Sequence, residues 1–280
     1  MKIGVSSYSY NQYIKAGKLT QFSCIAKAKE MGFDDIQFTD LQPPEGVSVM
    51  EFAGQIREEA KRCGIEVSGY VVGANLGQKD PSEEIARLKM CLDVAHEMGA
   101  KFFRHDIMGT YNDFRSFDLA LPTIRAAIRE VTEYAATLGI KTMSENHGYI
   151  AQDSDRIERL VNAVNHENYG ALIDIGNFAC ADEDSAMAVS RIANLAFLVH
   201  AKDFVKKSFA EYQGEEGYFQ TRGCNWLKGV SVGDGDIPVD QCVAILKRAG
   251  FDGYIDIEYE GSEDCMEGLA KGLAYLRKLV

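Results

Sequence analysis

The chain has 280 residues, 46% of them hydrophobic, and a formal net charge of -12. That length is ample for one α/β barrel domain with a sizeable core, and the acidic balance repels a phosphate backbone, which argues against nucleic acid as a partner. Apolar runs fall short of the ~18 residues that cross a membrane; the start Met1-Lys2-Ile3-Gly4-Val5 carries no secretory leader.

Seven scattered cysteines, odd in number and without a CxxC pair, suit a reducing, cytoplasmic setting rather than a disulfide scaffold or a thiolate zinc site. Short apolar stretches then alternate with longer amphipathic ones. Residues 3–7 read as the first strand, with a helix over 20–31 stopped at Gly32. Residues 35–39 are the second, and a helix over 48–63 closes at Gly64. The third strand spans 65–72; its helix starts at Pro81 and ends at Gly99. Residues 101–105 are the fourth, before a helix over 118–138 closed by Gly139. The fifth covers 140–144 with a helix from 153 to 166, and the sixth 171–174 with a helix over 184–194. Residues 196–200 are the seventh. A helix over 239–249, with Gly250 behind it, precedes the eighth strand at 254–258, and a last helix runs over 264–279.

The glycine that recurs behind these helices (Gly32, Gly64, Gly99, Gly139 and Gly250) is the usual carboxyl-terminal cap. Strands alternating with helices of this length predict parallel βαβ units, and eight such units predict a single (β/α)8 TIM barrel over residues 1–280. One connection breaks the rhythm. Residues 204–236 hold six glycines and the aromatics Phe204, Phe209, Tyr212, Tyr218, Phe219 and Trp226. A loop of this length in a compact domain is usually functional, and the aromatics point to a cover over the barrel mouth. The tyrosines Tyr8, Tyr10 and Tyr13, and the stretch 106–117, belong to the same end.

Residues at the carboxyl ends of barrel strands converge on the active mouth. Four successive strands here end in Glu145, Asp174, His200 and Glu258. Three carboxylates and an imidazole brought together need a cation, because uncompensated burial of such groups is costly. One divalent ion (manganese, magnesium, cobalt or zinc) satisfies that donor set. Asp256, Glu258 and Glu260 share one face of the last strand by two-residue alternation. Asp256 then lies one layer down, where a buried base would pair with it, and Glu260 stands higher, facing substrate or solvent. His147 has the parity of Glu145, and Lys202 that of His200. Only one of Arg104 and His105 can face inward. Arg222, in the covering loop, offers a fork of donors to a substrate. His96 and His166 lie on helices and read as structural.

Those residues resemble the xylose isomerase-like TIM-barrel superfamily, and within it the sugar phosphate isomerase/epimerase group. The matching pieces are Ser144-Glu145-Asn146-His147-Gly148, Leu172-Ile173-Asp174-Ile175-Gly176-Asn177, Leu198-Val199-His200-Ala201-Lys202-Asp203, Gly233-Asp234-Gly235-Asp236 and Gly253-Tyr254-Ile255-Asp256-Ile257-Glu258-Tyr259-Glu260. The resemblance implies one divalent metal held by Glu145, Asp174, His200 and Glu258. It also implies that Glu145 and Glu258 handle the proton on opposite faces of an enediolate, and it matches Arg222 to a substrate-contacting arginine. Asn177 departs from it, standing where the epimerases carry a histidine.

The expected chemistry is proton abstraction next to a carbonyl, as in a sugar isomerase or epimerase, with His147, Arg222, Lys202 and Glu260 contacting a sugar or polyol. A metal-dependent dehydratase of an inosose or dehydroshikimate-like substrate is the alternative, with His147 as the acid. A non-catalytic sugar-binding protein is a third reading. No P-loop or dinucleotide fingerprint occurs, so no nicotinamide cofactor is implied. The sequence leaves a homo-oligomer open.

Overall fold

Eight parallel strands close on themselves in this computed structural model, which describes residues 1–111 and 113–280. The strands are β1 (Lys2–Ser6), β2 (Asp35–Thr39), β3 (Glu66–Val72), β4 (Phe102–His105), β5 (Lys141–Glu145), β6 (Tyr169–Asp174), β7 (Ala196–Ala201) and, after three short strands described below, β11 (Tyr254–Ile257). Each pairs with its neighbours in chain order, and β11 returns to β1 through the register Ile3↔Ile255 and Val5↔Ile257.

A short α1 (Asn11–Lys15) follows the first strand. The outer ring is α2 (Gln21–Met31), α3 (Val49–Cys63), α4 (Ser82–Met98), α5 (Phe117–Thr137), α6 (Ser154–Val164), α7 (Ser185–Ile192), α8 (Val239–Arg248) and α9 (Cys265–Leu276). Local chemistry sets their ends. Thr20 and Ser23 form a reciprocal capping box on α2, and the Ser48 hydroxyl accepts from the Glu51 amide on α3. Gly32, Gly64 and Gly99 close α2, α3 and α4 at φ of 94°, 64° and 77°, a conformation that costs other residues strain. Among the described residues no helix is long and apolar enough to cross a membrane.

The main core lies between the strands and the helical ring, where Ile3, Val5, Ile36, Phe38, Val199 and Ile255 are fully buried. The lower barrel interior is divided. Met143, Leu172 and Leu198 form an apolar plug on β5, β6 and β7. On the opposite side, Asp35 of β2, Ser68 of β3 and Asp256 of β11 are buried polar groups.

The segment 204–236, expected as a covering loop, carries a small second sheet. β8 (Asp203–Lys207), β9 (Phe219–Gln220) and β10 (Trp226–Val230) pair antiparallel in the order β8-β10-β9. Its Trp226 ring stacks on Tyr212 with centroids 3.7 Å apart. The sheet reaches the mouth at two places: Gln220 accepts from the Tyr149 hydroxyl at 3.0 Å, and Gly229 lies so close to the Glu260 backbone that any side chain there would overlap it. Of the stretch 106–117, Asn112 lies outside the described residues.

Candidate active site

Glu145, Asp174 and His200 sit at the ends of β5, β6 and β7, and Glu258 is the first residue after β11. One ligand atom from each lies within 4.8 Å of the others, and all but Glu258 are fully buried. Two like charges 4 Å apart repel by about 4 kcal/mol at the effective dielectric of a protein site, so three carboxylates there demand positive charge.

The donors are already aimed. His200 Nε2 donates to Gln37 Oε1 at 2.7 Å, which leaves Nδ1 as a buried nitrogen without a hydrogen-bond partner, facing Glu145 and Glu258 at 3.9 and 3.7 Å. Asp174 Oδ1 accepts from the amides of Gly176 and Asn177 at 2.8 and 3.0 Å, turning Oδ2 toward the cluster. Asn146 locks the same corner by a paired exchange with the Asp174 backbone. An imidazole fixed by its outer nitrogen and a carboxylate fixed by its outer oxygen suit a divalent cation. The residues present therefore fit such an ion, with Glu145, Asp174, His200 and Glu258 as its holders.

Two cations of the chain border this quartet. The Lys202 ammonium is enclosed by Glu258 Oε2 at 2.7 Å, Asp174 Oδ2 and Glu260 Oε1 both at 3.0 Å, and Asn177 Oδ1 at 3.2 Å. The Arg104 guanidinium bridges Glu145 Oε2 and Asp106 Oδ1, each at 2.7 Å. Burial disfavours the charge on both, yet the surrounding acids outweigh it and hold Lys202 well above its ordinary pKa and Arg104 above its own. Burial likewise opposes ionisation of Glu258, but Lys202 and His200 pull its carboxyl well below the usual range. Asp174 is pushed up to about 6, chiefly by burial. Burial disfavours an imidazolium at His200, while Glu258, Glu145 and Asp174 raise its pKa overall.

A cavity of about 400 Å³ opens above the quartet. Glu145, Glu258, Glu260, His147, Arg104 and Asp106 form one wall; Tyr8, Asn11, Thr39, Asp40 and Gln42, from the ends of β1 and β2, form the other. His147 is half-exposed, and its Nδ1 meets Asp106 Oδ1 at 2.9 Å. Burial works against the charged ring, but the bond to Asp106 raises its pKa.

Of the residues singled out from sequence, the structure thus brings Glu145, Asp174, His200, Glu258, Glu260, Lys202 and His147 to one mouth. Lys202 is spent on acids rather than presented on the cavity wall. Arg222 stands apart, its guanidinium paired with Asp153 (2.7 Å) and Tyr149 O (3.2 Å), fastening the small sheet to the turn before α6. Among the described residues, Asp256 meets no base. It lies beside Asp35 above the bare Cα of Gly4, with Ser68 donating to Oδ2 at 3.1 Å. His105 points outward and stacks on Tyr169, so Arg104 is the inward one. Asn177 donates to Glu145 Oε1 at 2.9 Å, so the departure from a histidine changes a direct neighbour of the quartet.

Sequence reasoning missed Asp106 and Gln37. Gln37 shares the inward parity of Asp35, the one signal that could have found it. Asp106 lies just past a strand end and carried no periodic signal.

Fold and site together define a (β/α)8 barrel with a candidate divalent-cation site at its carboxyl-terminal mouth. Residues 25–279 match the family described as xylose isomerase-like TIM barrel, and the chain belongs to that family. An inosose dehydratase of Clostridium perfringens strain 13 is 22% identical over 93% of this chain and 90% of that protein. Among solved structures, the IolI protein with a binding zinc atom superposes with a TM-score of 0.77 at 15% identity, covering 100% and 98% of the two chains. D-psicose 3-epimerase with D-tagatose from Clostridium cellulolyticum H10 gives 0.75 at 16% identity, covering 100% and 99%. At these identities the structural likeness speaks for the fold alone.

Proposed function

We propose that the protein is a divalent-cation-dependent lyase acting on a polyhydroxy carbonyl compound, removing the proton beside the carbonyl and expelling the hydroxyl one carbon further on. The observation that carries this reading is the chain His147–Asp106–Arg104–Glu145, which sets one tethered imidazole in the same cavity lining as Glu145 and Glu258. Its Nδ1 is held by Asp106, leaving Nε2 for a leaving hydroxyl.

Glu258 and Glu145, both on the cavity wall, are the candidates to take the carbon-bound proton. The electron pair of that C–H bond forms the new double bond, and the C–O bond to the β-hydroxyl breaks as His147 gives it a proton, releasing water. A bound divalent cation would supply polarisation of the carbonyl and neutralise charge developing on its oxygen. Lys202 holds Glu258 in place from behind, and Glu260, itself paired with Lys202, can meet a substrate hydroxyl from the cavity lining. The inosose dehydratase relative supports the lyase reading.

An isomerase or epimerase remains the second reading, favoured by two glutamates lining the one cavity, a pair that could serve opposite faces of a carbon. Proton NMR in deuterated water, with inososes and ketoses and each divalent metal in turn, separates the two. The lyase reading expects loss of water together with deuterium exchange. It also expects His147→Gln to slow elimination roughly a hundredfold while exchange persists. Inversion or carbonyl migration with every hydroxyl retained would establish the second reading instead. No exchange with any compound or metal would leave only a binding protein.

A further inference from the structure

The charge lining this cavity, and the fate of the places where barrels usually hold phosphate, point to the kind of substrate it admits. Asp40, Asp106, Glu145, Glu258 and Glu260 all line the cavity. The guanidinium of Arg104 is shared between Asp106 and Glu145, and the Lys202 ammonium is spent on Asp174, Glu258 and Glu260. A divalent ion in the quartet would still leave an acidic excess. Among the described residues, neither buried cation is left over for an anionic substituent.

Barrels commonly take phosphate on backbone amides after the seventh and eighth strands, at a helix amino terminus. Here the chain's own carboxylates fill both positions. After β7, Asp203 Oδ2 accepts from the amides of Gly233 and Gly235 at 2.9 and 3.0 Å, and Oδ1 from Phe204 and Ile237 at 2.9 and 3.1 Å. This explains the Gly233-Asp234-Gly235-Asp236 motif: it wraps a buried aspartate. After β11, Asp264 Oδ1 takes the amides of Met266 and Glu267 at the start of α9. The facing wall offers instead neutral groups, Asn11, Thr39 and Gln42, with Gln21 bonded to the backbone of Asp40 and Gln42 to fix that rim.

We propose that this cavity selects an uncharged polyhydroxy carbonyl compound and rejects its phosphorylated or carboxylated counterparts, with Asp40 as a specificity-determining residue. The proposal rests on the reading above that the cavity is the substrate site, and it narrows that site to cyclitol-like or ketose-like neutral molecules.

Titration calorimetry on the manganese-loaded and the metal-free protein tests it, with myo-inositol, D-tagatose, myo-inositol 1-phosphate and shikimate as probes. The expected result is binding of at least one neutral polyol, with the phosphate and the carboxylate about a hundredfold weaker or undetectable, since like charges brought together oppose binding. In Asp40→Lys the two anions should tighten by about tenfold relative to the neutral compound. Anions that bind as well as the neutral compounds, or neutral compounds that fail to bind at all, overturn the proposal, as does an Asp40→Lys protein with unchanged discrimination. Because binding is scored without turnover, neutral preference without proton exchange would defeat the lyase and epimerase readings alone. Exchange with a phosphorylated or carboxylated compound as fast as with a neutral one would defeat this inference alone.

Discussion

Asp256 and Glu258 enter the barrel two residues apart on the same strand end, and their surroundings drive them in opposite directions. Glu258 meets Lys202 and His200, and its pKa lies well below the ordinary carboxylate range despite burial. Asp256 meets only Asp35 and Ser68; burial first, then the neighbouring acid, lifts it well above that range, and burial pushes Asp35 up to about 6. The upper acid is a charge in need of a cation; the lower one is a hydrogen-bonding group whose surroundings favour its protonated form. A carboxylate withdrawn from water is drawn toward its charged or its protonated form according to whether a positive group is within reach.

The comparison breaks most visibly by exchanging acid for amide in each layer. Glu258→Gln should cut substrate proton exchange by roughly a thousandfold and weaken manganese binding, whereas Asp256→Asn leaves both within a few-fold. Equal losses in the two variants, read by NMR and calorimetry, would erase the distinction.

Stability probes the lower layer alone. Gly4→Ala forces a methyl group into the carboxylate oxygens of Asp35 and Asp256, for a cost of about 1–3 kcal/mol by urea denaturation. Asp35→Asn sharpens the pH argument. An acid whose folded pKa is raised stabilises fully below its unfolded value of about 3.9, and that contribution is lost as pH climbs through the folded value near 6. Relative to the parent, Asp35→Asn should therefore gain on the order of 2 kcal/mol between about pH 4 and pH 7. A difference that stays flat over that window would mean that the pair is ionised after all.

The smallest effect is expected at Arg222. Its bond to Asp153 is partly open to water, and such pairs contribute at most about 1 kcal/mol. Arg222→Ala should leave kcat/KM within about threefold; a hundredfold loss would show that the small sheet brings this arginine onto substrate.

Much of the barrel was legible because most strands are short apolar runs and most of the long helices are followed by glycines, both local signals. The four corners Glu145, Asp174, His200 and Glu258 were legible for a related reason: each terminates an apolar or weakly polar strand, so parity and height follow from the backbone alone. Partners were not. Nothing local distinguishes Arg104 from His105 as the inward residue; the pleat of β4 against β3 and β5 decides it. Lys202 reads as a substrate contact until the ends of β6 and β11 arrive beside it. The 204–236 segment read as a loop because β9 is two residues long and its glycines mask the pairing of β8 with β10.

What the sequence determined by itself is the run of βα units and the strand-end placement of the acids and histidine, since both depend on periodicity within a few residues. Only the tertiary structure decided which of those groups carry charge. Asp256 was expected to find a base and finds Asp35 instead; Arg222 was expected at the substrate and finds Asp153; Asp203, beside Lys202, binds the amides of the 233–237 turn ahead of α8. Charge and pairing depend on distances between residues remote in sequence, and the closing of the barrel sets those distances.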